Sequence, residues 1–244
     1  MVQQAGKTWF FIVADYAFGA ALENDATRFV KEAGGSVIGD VKSPLNSTDF
    51  SSFLLQAQSS KADVIALATA GTDTTNALKQ AAEFGLTKGN QRVVGLLMFE
   101  TDVRSVGLQA AQGTYMTVAS YWDLNDQTRA WSKPFIEQQK AVPTMLQTGV
   151  YTALLHYLKA VDAAKSDDPA AVMAKMHEIP VNDAFVKNGR LREDGRLLRD
   201  MYLVKVKAPA DSRSPYDMLQ IVETVKGEDA FRPVSESICP LLKK

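Results

Sequence analysis

The sequence predicts an α/β protein with a doubly wound parallel sheet, and two patterns in its first half carry this prediction. Short apolar runs alternate with amphipathic helical stretches, and the connections between them are only a few residues long. Three of the apolar runs end in short polar loops from which a helix starts, as in a βαβ unit. Right-handed crossovers between such units make the strands parallel and put helices on both faces of the sheet.

The individual elements follow from this alternation as far as residue 120. The opening run, Thr8–Ala14, is apolar throughout and is typical of a buried strand. The helix after it stops at Gly34-Gly35, where glycine permits the left-handed backbone of a helix end. The predicted strands are Thr8–Ala14, Ser36–Val41, Val64–Ala70, Arg92–Phe99 and Thr114–Ser120. The predicted helices are Phe18–Ala33, Phe50–Ser59 and Thr74–Phe84, the last capped by Thr72 or Asp73, followed by a helical turn to Leu108.

The pattern changes after residue 122, where three helices follow one another. The first extends from Asp126 to about Lys140, and Pro134 within it predicts a kink or a break. The second, Met145–Ala164, has apolar residues at helical spacing. Asp167 or Asp168 is expected to cap the third, which has Pro169 in its first turn and ends at Ile179-Pro180.

A hairpin over Gly189–Val206 and a last strand, Met218–Val225, complete the predicted elements. The three amphipathic helices need an apolar surface to cover, and the first sheet already has its own helices. Either the whole chain packs as one irregular domain, or the sheet to which these helices belong lies outside this chain.

Composition and motifs exclude several classes of function. A net charge of −1 and a pI near 6.2 argue against nucleic-acid or anionic-membrane partners, which usually require a basic surface. The dinucleotide and phosphate-loop glycine motifs, the nucleophile elbow and any Cys/His metal cluster are missing from the sequence. We therefore expect no cofactor, no metal and no enzymatic activity.

Two further features concern compartment and redox chemistry. No apolar run reaches the roughly 18–20 residues that a membrane span needs, and the start, MVQQAGKTW, lacks the apolar core of a signal peptide. The chain as written is therefore expected to stay in the cytoplasm. Its single cysteine, Cys239, is either a small apolar side chain in the tail or the partner of a cysteine in a missing segment.

Candidate ligand-binding residues follow the predicted strands. In open parallel sheets, ligands bind beyond the carboxyl ends of the strands. The candidates at this edge are Asp15, Tyr16, Phe18, Ala70, Gly71, Thr72, Asp73, Phe99 and Glu100. Ordinary roles compete with ligand binding, since Asp15, Thr72 and Asp73 suit helix caps, Phe18 suits the core and Glu100 suits the surface.

Several stretches together resemble the type I periplasmic solute-binding proteins of ABC transporters, of the leucine/isoleucine/valine-binding type. These stretches are WFFIVADYAFG (9–19), KADVIALATAG (61–71), AAQGTYMTVASYW (110–122), GVYTALLHYLKAV (149–161) and GRLREDGRLLRDMYLVKVK (189–207). The resemblance implies two lobes that close on a small solute without chemistry, and ABC permease subunits as partners. It implies that residues 1–120 and 185–244 form lobe two, that residues 121–184 form the helical part of lobe one, and that the rest of lobe one is absent from an N-terminally truncated member. The full-length family member is periplasmic.

The resemblance also assigns roles at the site. By this resemblance, Tyr16 makes an aromatic contact with the ligand, and the stretch from Ala70 to Asp73 makes polar contacts with it. The acid that pairs with the ligand ammonium is Glu100 or, with a shifted alignment, Asp102. Gln147 is expected to face the cleft from lobe one. The ligand is expected to be a branched-chain or aromatic amino acid, or a related carboxylate without an amine, which the 244-residue chain alone binds weakly or not at all. A sensor or receptor domain of the same fold and a non-functional remnant are the alternative interpretations.

Overall fold

The structure, a computed structural model, describes residue 2, residues 6–237, residues 239 and 240, and residue 242. The chain forms two compact units. The first unit consists of Met1–Thr117 and Leu203–Val222, and the second of Val118–Tyr202 and Glu223–Lys244.

The secondary structure alternates strands and helices in the first half and is mainly helical between residues 126 and 178. The strands are β1 (Thr8–Ala14), β2 (Ser36–Ser43), β3 (Val64–Ala68), β4 (Arg92–Gly95), β5 (Tyr115–Val118), β6 (Arg190–Leu191), β7 (Leu197–Leu198), β8 (Met201–Val206) and β9 (Leu219–Val225). The helices are α1 (Ala17–Glu32), α2 (Ser51–Ser59), α3 (Gly71–Glu83), α4 (Glu100–Val106), α5 (Leu108–Ala111), α6 (Asp126–Gln139), α7 (Met145–Ala164), α8 (Pro169–Glu178) and α9 (Gly227–Ala230).

The main sheet has seven strands in the order β2-β1-β3-β4-β5-β8-β9. Strand β1 pairs in parallel with β2 and β3, and the pairs β3–β4 and β4–β5 are also parallel. Strand β3 is buried along its whole length, as expected of a central strand with both faces covered. The predicted α/β class with a mostly parallel sheet is confirmed.

Several details of the predicted elements differ from the structure. Strand β3 ends at Ala68 and β4 at Gly95, earlier than the predicted ends at Ala70 and Phe99. Helix α3 begins at Gly71 with Ala70 as its N-cap, so Thr72 and Asp73 lie in its first turn and do not cap it. Pro134 does not break α6, which is continuous from Asp126 to Gln139. The predicted hairpin is confined to β6 and β7, because β8 joins the main sheet.

The second unit contains α6, α7 and α8, and the side chains of α7 are distributed unusually. Its buried positions recur every four residues and are mostly polar, namely Thr148, Thr152, His156 and Ala160. The hydroxyls of Thr148 and Ser120 lie 2.6 Å apart, and His156 Nε2 donates to Met176 O at 2.9 Å, a contact between helices α7 and α8. Its exposed apolar side chains are Leu146, Val150, Leu154, Tyr157 and Leu158.

The same unit has a small aromatic core beside α7. Trp131 packs against Tyr151 and Phe185, with ring centroids 4.8 and 4.9 Å away. The unit groups residues 185–202 with the helices, whereas the sequence prediction joined residues 185–244 to residues 1–120. The assignment of these stretches to lobes stays a prediction.

Candidate functional site

Three connections leave the carboxyl ends of neighbouring parallel strands in the first unit, and we call this edge of the sheet the rim. Strand β1 lies beside β3, with Val13 opposite Ala68, and β3 lies beside β4, with Leu67 opposite Gly95. Because the strands are parallel and adjacent, the connections that follow them begin at the same edge of the sheet. The rim thus starts from residues 15–16, 69–70 and 96–99.

The first connection presents an aromatic side chain to solvent. Tyr16 is 44% exposed, and its ring lies 5.6 Å from the ring of the partly buried Phe18. The turn from β1 into α1 is tight, since a Cβ atom on Gly19 would lie 2.1 Å from Ala14 O. Asp15 is exposed, and its backbone N–H donates to Ser43 O on the neighbouring strand β2. This turn therefore fixes the backbone from which the Tyr16 ring extends.

The second connection separates an exposed threonine from a buried aspartate. Gly71 has a φ of +57° and begins α3, and Thr72 beside it is exposed. Asp73 is 6% exposed, its Oδ2 accepts from the backbone N–H of Asn46 at 3.2 Å, and its Oδ1 is buried with no partner in the described part of the chain. Thr72 is thus available to a ligand, whereas Asp73 is turned towards the loop after β2. Sequence reasoning did not identify Asn46 as the partner of Asp73.

The third connection buries an acid completely. Glu100 is 1% exposed, and both of its carboxyl oxygens are buried without a hydrogen-bond partner among the described residues. Burial raises the pKa of Glu100 to about 7, and the neighbouring Asp102 adds to the rise. Glu100 is therefore not the surface acid that was one of its two predicted roles, and it is about half neutral near pH 7.

Asp102, the alternative acid, is already engaged in holding the start of α4. Its Oδ2 accepts from the backbone N–H of Phe99 at 2.9 Å. Burial raises the pKa of Asp102, and the hydrogen bond from Phe99 opposes this rise. Phe99 itself is partly buried at the N-cap position. Of the two acids, Glu100 is the one with unsatisfied oxygens.

Gln147 lies in the second unit, at the start of α7. Its Oε1 accepts from the backbone N–H of Thr144 at 2.9 Å and from the Thr144 hydroxyl at 2.6 Å. The Thr144 hydroxyl in turn accepts from the backbone N–H of Leu146, which completes a capping box. The side-chain carbonyl of Gln147 is therefore committed to the helix start, and a contact of Gln147 with a ligand stays a prediction.

Comparison with known proteins identifies the family to which this geometry belongs. The family model described as "Periplasmic binding protein" matches residues 1–213. The chain belongs to the periplasmic binding protein family. This periplasmic binding protein has the type I fold, and the family and fold are those of substrate-binding proteins without enzymatic activity.

Two solved structures from Burkholderia are similar over nearly the whole chain. A periplasmic binding protein from Burkholderia mallei is 47% identical with a TM-score of 0.92, and the match covers 99% of this chain and 64% of that one. A branched-chain amino acid ABC transporter periplasmic ligand-binding protein from Burkholderia xenovorans is 42% identical with a TM-score of 0.89. This match covers 96% of this chain and 63% of that one. The chain thus spans a little less than two thirds of the length of these relatives.

A more distant structure shares the fold. It is a solute-binding protein of an ABC transporter from Rhodopseudomonas palustris, solved in complex with 3,4-dihydroxybenzoic acid. It is 22% identical with a TM-score of 0.75, and the match covers 91% of this chain and 61% of that one.

The described residues contain neither a metal-ligand cluster nor a membrane-spanning helix. In the part of the chain that the structure describes, no group of three His, Cys, Asp or Glu side chains could hold a metal ion. Among the same residues, no helix combines the length and the apolar character that crossing a membrane requires.

Proposed function

We propose that this chain is part of the solute-binding component of an ABC importer, and that the rim forms one wall of its ligand site. The observation that carries the proposal is the exposure of Tyr16 and Thr72 on adjacent connections at one edge of a parallel sheet. The 47% identity to a periplasmic binding protein over 99% of the chain supports the same assignment.

The side chains of the rim favour a ligand that combines a flat or branched apolar group with polar ends. The rings of Tyr16 and Phe18 form a tilted pair, a surface against which an aromatic or branched side chain packs well. The Thr72 hydroxyl adds a hydrogen-bonding group on the neighbouring connection. We propose a branched-chain or aromatic amino acid, or a related carboxylate, as the ligand.

Glu100 would distinguish ligands with an amine from those without one. Both of its oxygens lack partners among the residues that the structure describes, so the approach of an ammonium group would supply the hydrogen bonds and the charge that they lack. Because burial holds its pKa near 7, Glu100 would lose its remaining proton when a cation binds. A carboxylate without an amine would instead be met by the neutral form of Glu100, which can donate a hydrogen bond.

Saturation-transfer NMR on the 244-residue chain tests this proposal, because it detects weak binding. The panel is leucine, phenylalanine and 4-hydroxybenzoate, and the variants are Tyr16→Ala and Glu100→Gln. The matched control is Phe84→Ala, which removes an exposed aromatic residue at the opposite end of α3. We expect Tyr16→Ala to weaken binding at least about tenfold and Phe84→Ala to leave it unchanged.

The outcome with Glu100→Gln assigns the ligand class. Loss of amino-acid binding with retention of 4-hydroxybenzoate would identify Glu100 as the ammonium partner. Equal binding by the wild type and Tyr16→Ala would contradict the rim as a ligand wall.

We further propose that the complete protein acts in the periplasm, delivers its solute to ABC permease subunits and releases it chemically unchanged. Recovery of an unmodified ligand after prolonged incubation is the expected result. The appearance of a product would instead point to an enzyme.

A further inference from the structure

Residues 44–50, which we call the β2 loop, form a further connection at the rim edge, and the sequence analysis gave them no role in ligand binding. Strand β2 is parallel to β1, and Ser43 lies opposite Ala14 at the carboxyl ends of the two strands. Ser43 O accepts from the backbone N–H of Asp15 at 2.9 Å. The β2 loop therefore starts beside the connection that carries Tyr16, at the same edge of the sheet.

Helix α3 holds the β2 loop through polar side chains on one of its faces. These side chains are spaced three and four residues apart, namely Asp73, Asn76 and Gln80. Asp73 Oδ2 accepts from the backbone N–H of Asn46 at 3.2 Å. Asn76 Nδ2 donates to Ser47 O at 3.0 Å. Because Asp73 lies in the first turn of α3, directly after Thr72, the loop is tied to the second connection of the rim as well as to the first.

Further hydrogen bonds fix the backbone of the β2 loop. Gln80 Nε2 donates to Thr48 O at 2.9 Å, and Gln80 Oε1 accepts from the backbone N–H of Phe50 at 2.7 Å. The Ser47 hydroxyl donates to Pro44 O at 2.7 Å. Phe50 is fully buried and ends the loop at the start of α2. An ordered loop loses little conformational freedom when a ligand packs on it, so its contacts contribute more to affinity.

Leu45 is a large apolar side chain that this loop exposes at the rim. It is 49% exposed, which is common for single residues, so its position and not its exposure carries the inference. It precedes Asn46, whose N–H reaches Asp73, and it follows Ser43 by two residues. Because consecutive Cα atoms are only about 3.8 Å apart, Leu45 lies close to both the first and the second connection.

We propose that Leu45 is a specificity-determining contact for the apolar side chain of the ligand, and that Asp73 positions it through Asn46. This inference rests on the proposed function and adds that the 244-residue chain alone keeps a weak, measurable preference among ligands. Leu45 adds an aliphatic surface to the rings of Tyr16 and Phe18, so a ligand with a larger apolar side chain gains more from it. Asp73 then acts by holding the loop and not by touching the ligand.

Saturation-transfer titrations with matched ligands test the role of Leu45. The probes are leucine and phenylalanine against alanine, and the same three compounds without their amine, which are 4-methylpentanoate, 3-phenylpropionate and propionate. Leu45→Ala is expected to weaken binding of the larger ligands about fivefold and to leave that of the small ones nearly unchanged. Leu55→Ala is the matched control, since Leu55 is a leucine of α2 that is 48% exposed, and it should change neither.

Two variants of Asp73 test its positioning role. Asp73→Ala should reduce the preference for the larger ligands and accelerate amide hydrogen exchange at Asn46 and Ser47, because the Asn46 N–H loses its acceptor. Asp73→Asn should restore both, because its side-chain oxygen still accepts from that N–H. If Asp73 instead paired directly with a ligand amine, Asp73→Asn would bind amino acids as weakly as Asp73→Ala, and the positioning role would be overturned.

The remaining outcomes separate this inference from the proposed function. If no probe binds the wild type, the preference claimed for this chain is wrong, whereas the function proposed for the complete protein stands. If Tyr16→Ala weakens binding while Leu45→Ala binds as Leu55→Ala does, the rim stands and Leu45 is not a ligand contact. If Tyr16→Ala leaves the binding of every probe unchanged, both the rim and the role of Leu45 are overturned.

Discussion

Replacing Glu100 by glutamine is expected to change the pH dependence of stability, because Glu100 is the most deeply buried acid of the rim. Its pKa rises from an ordinary value of 4.5 to about 7, mainly through burial. At 1.36 kcal/mol for each pH unit, this rise corresponds to about 3 kcal/mol. Glutamine has nearly the same shape and does not ionise.

Whether the unfolding free energy rises or falls with pH depends on which protonation state of Glu100 the folded protein prefers. The folded protein favours neutral Glu100, so between pH 4.5 and about 7 the unfolded state has released this proton and the folded state has not. The contribution of the neutral carboxyl is therefore fully present below pH 4.5 and is lost as the pH rises to about 7. We expect Glu100→Gln to gain about 3 kcal/mol in unfolding free energy relative to the wild type between pH 4.5 and pH 8.5.

Urea unfolding at pH 4.5, 6, 7 and 8.5, followed by circular dichroism, measures this difference. Glu83→Gln is the control, since Glu83 is an exposed glutamate at the end of α3. The difference in unfolding free energy between Glu83→Gln and the wild type should change little between pH 4.5 and pH 8.5. If the difference in unfolding free energy between Glu100→Gln and the wild type stays constant with pH, the argument that burial keeps Glu100 neutral is refuted.

Three further predictions concern the fold. Gly19→Ala should destabilise the first unit by about 3 kcal/mol, because the added Cβ clashes with the backbone of strand β1. Gly149→Ala, where a Cβ meets nothing within 4 Å, should instead stabilise α7 by up to about 1 kcal/mol. In thermal unfolding the midpoint should fall for the first variant and rise for the second. Asp168→Ala should cost about 1 kcal/mol because Asp168 caps α8, and Asp167→Ala should cost much less in the same urea titration. Leu154→Glu, on the exposed apolar face of α7, should leave the circular dichroism spectrum unchanged and reduce self-association in sedimentation velocity. Equal self-association by the wild type and Leu154→Glu would contradict the expectation that this face drives self-association.

Elements with strong local signals could be predicted closely from the sequence. Strand β1 was predicted with its observed bounds because every residue from Trp9 to Ala14 is apolar and buried. Helix α7 was also predicted with its observed bounds, and its start is fixed by the Thr144–Gln147 capping box. In both cases local chemistry and tertiary burial favour the same structure.

The end of β4 could not be predicted because the apolar run continues after the strand stops. Leu96 to Phe99 are as apolar as the strand itself, but the chain bends there and Met98 lies against Gly95. A Cβ on Gly95 would come within 2.9 Å of the Met98 side chain. Composition alone does not distinguish a buried connection from a buried strand.

The common edge of the three connections could be predicted from the sequence, the contacts of their side chains could not, and ligand binding there stays a prediction. The order of the strands placed the three connections at one edge, and the parallel pairing confirms this. The complete burial of Glu100 and the contact of Asp73 with Asn46 depend on packing between segments distant in sequence, which periodicity does not reveal.

The most direct test of the rim as a ligand wall is a titration of the ¹⁵N-labelled 244-residue chain with the amino acid or carboxylate that binds most tightly, followed by amide chemical shifts. If the rim binds the solute, the amide signals of Tyr16, Thr72 and Phe99 shift together with one dissociation constant. Shifts confined to the opposite edge of the sheet, around Gly35 and Asp63, or no shifts within the first unit at saturating ligand, would contradict the account.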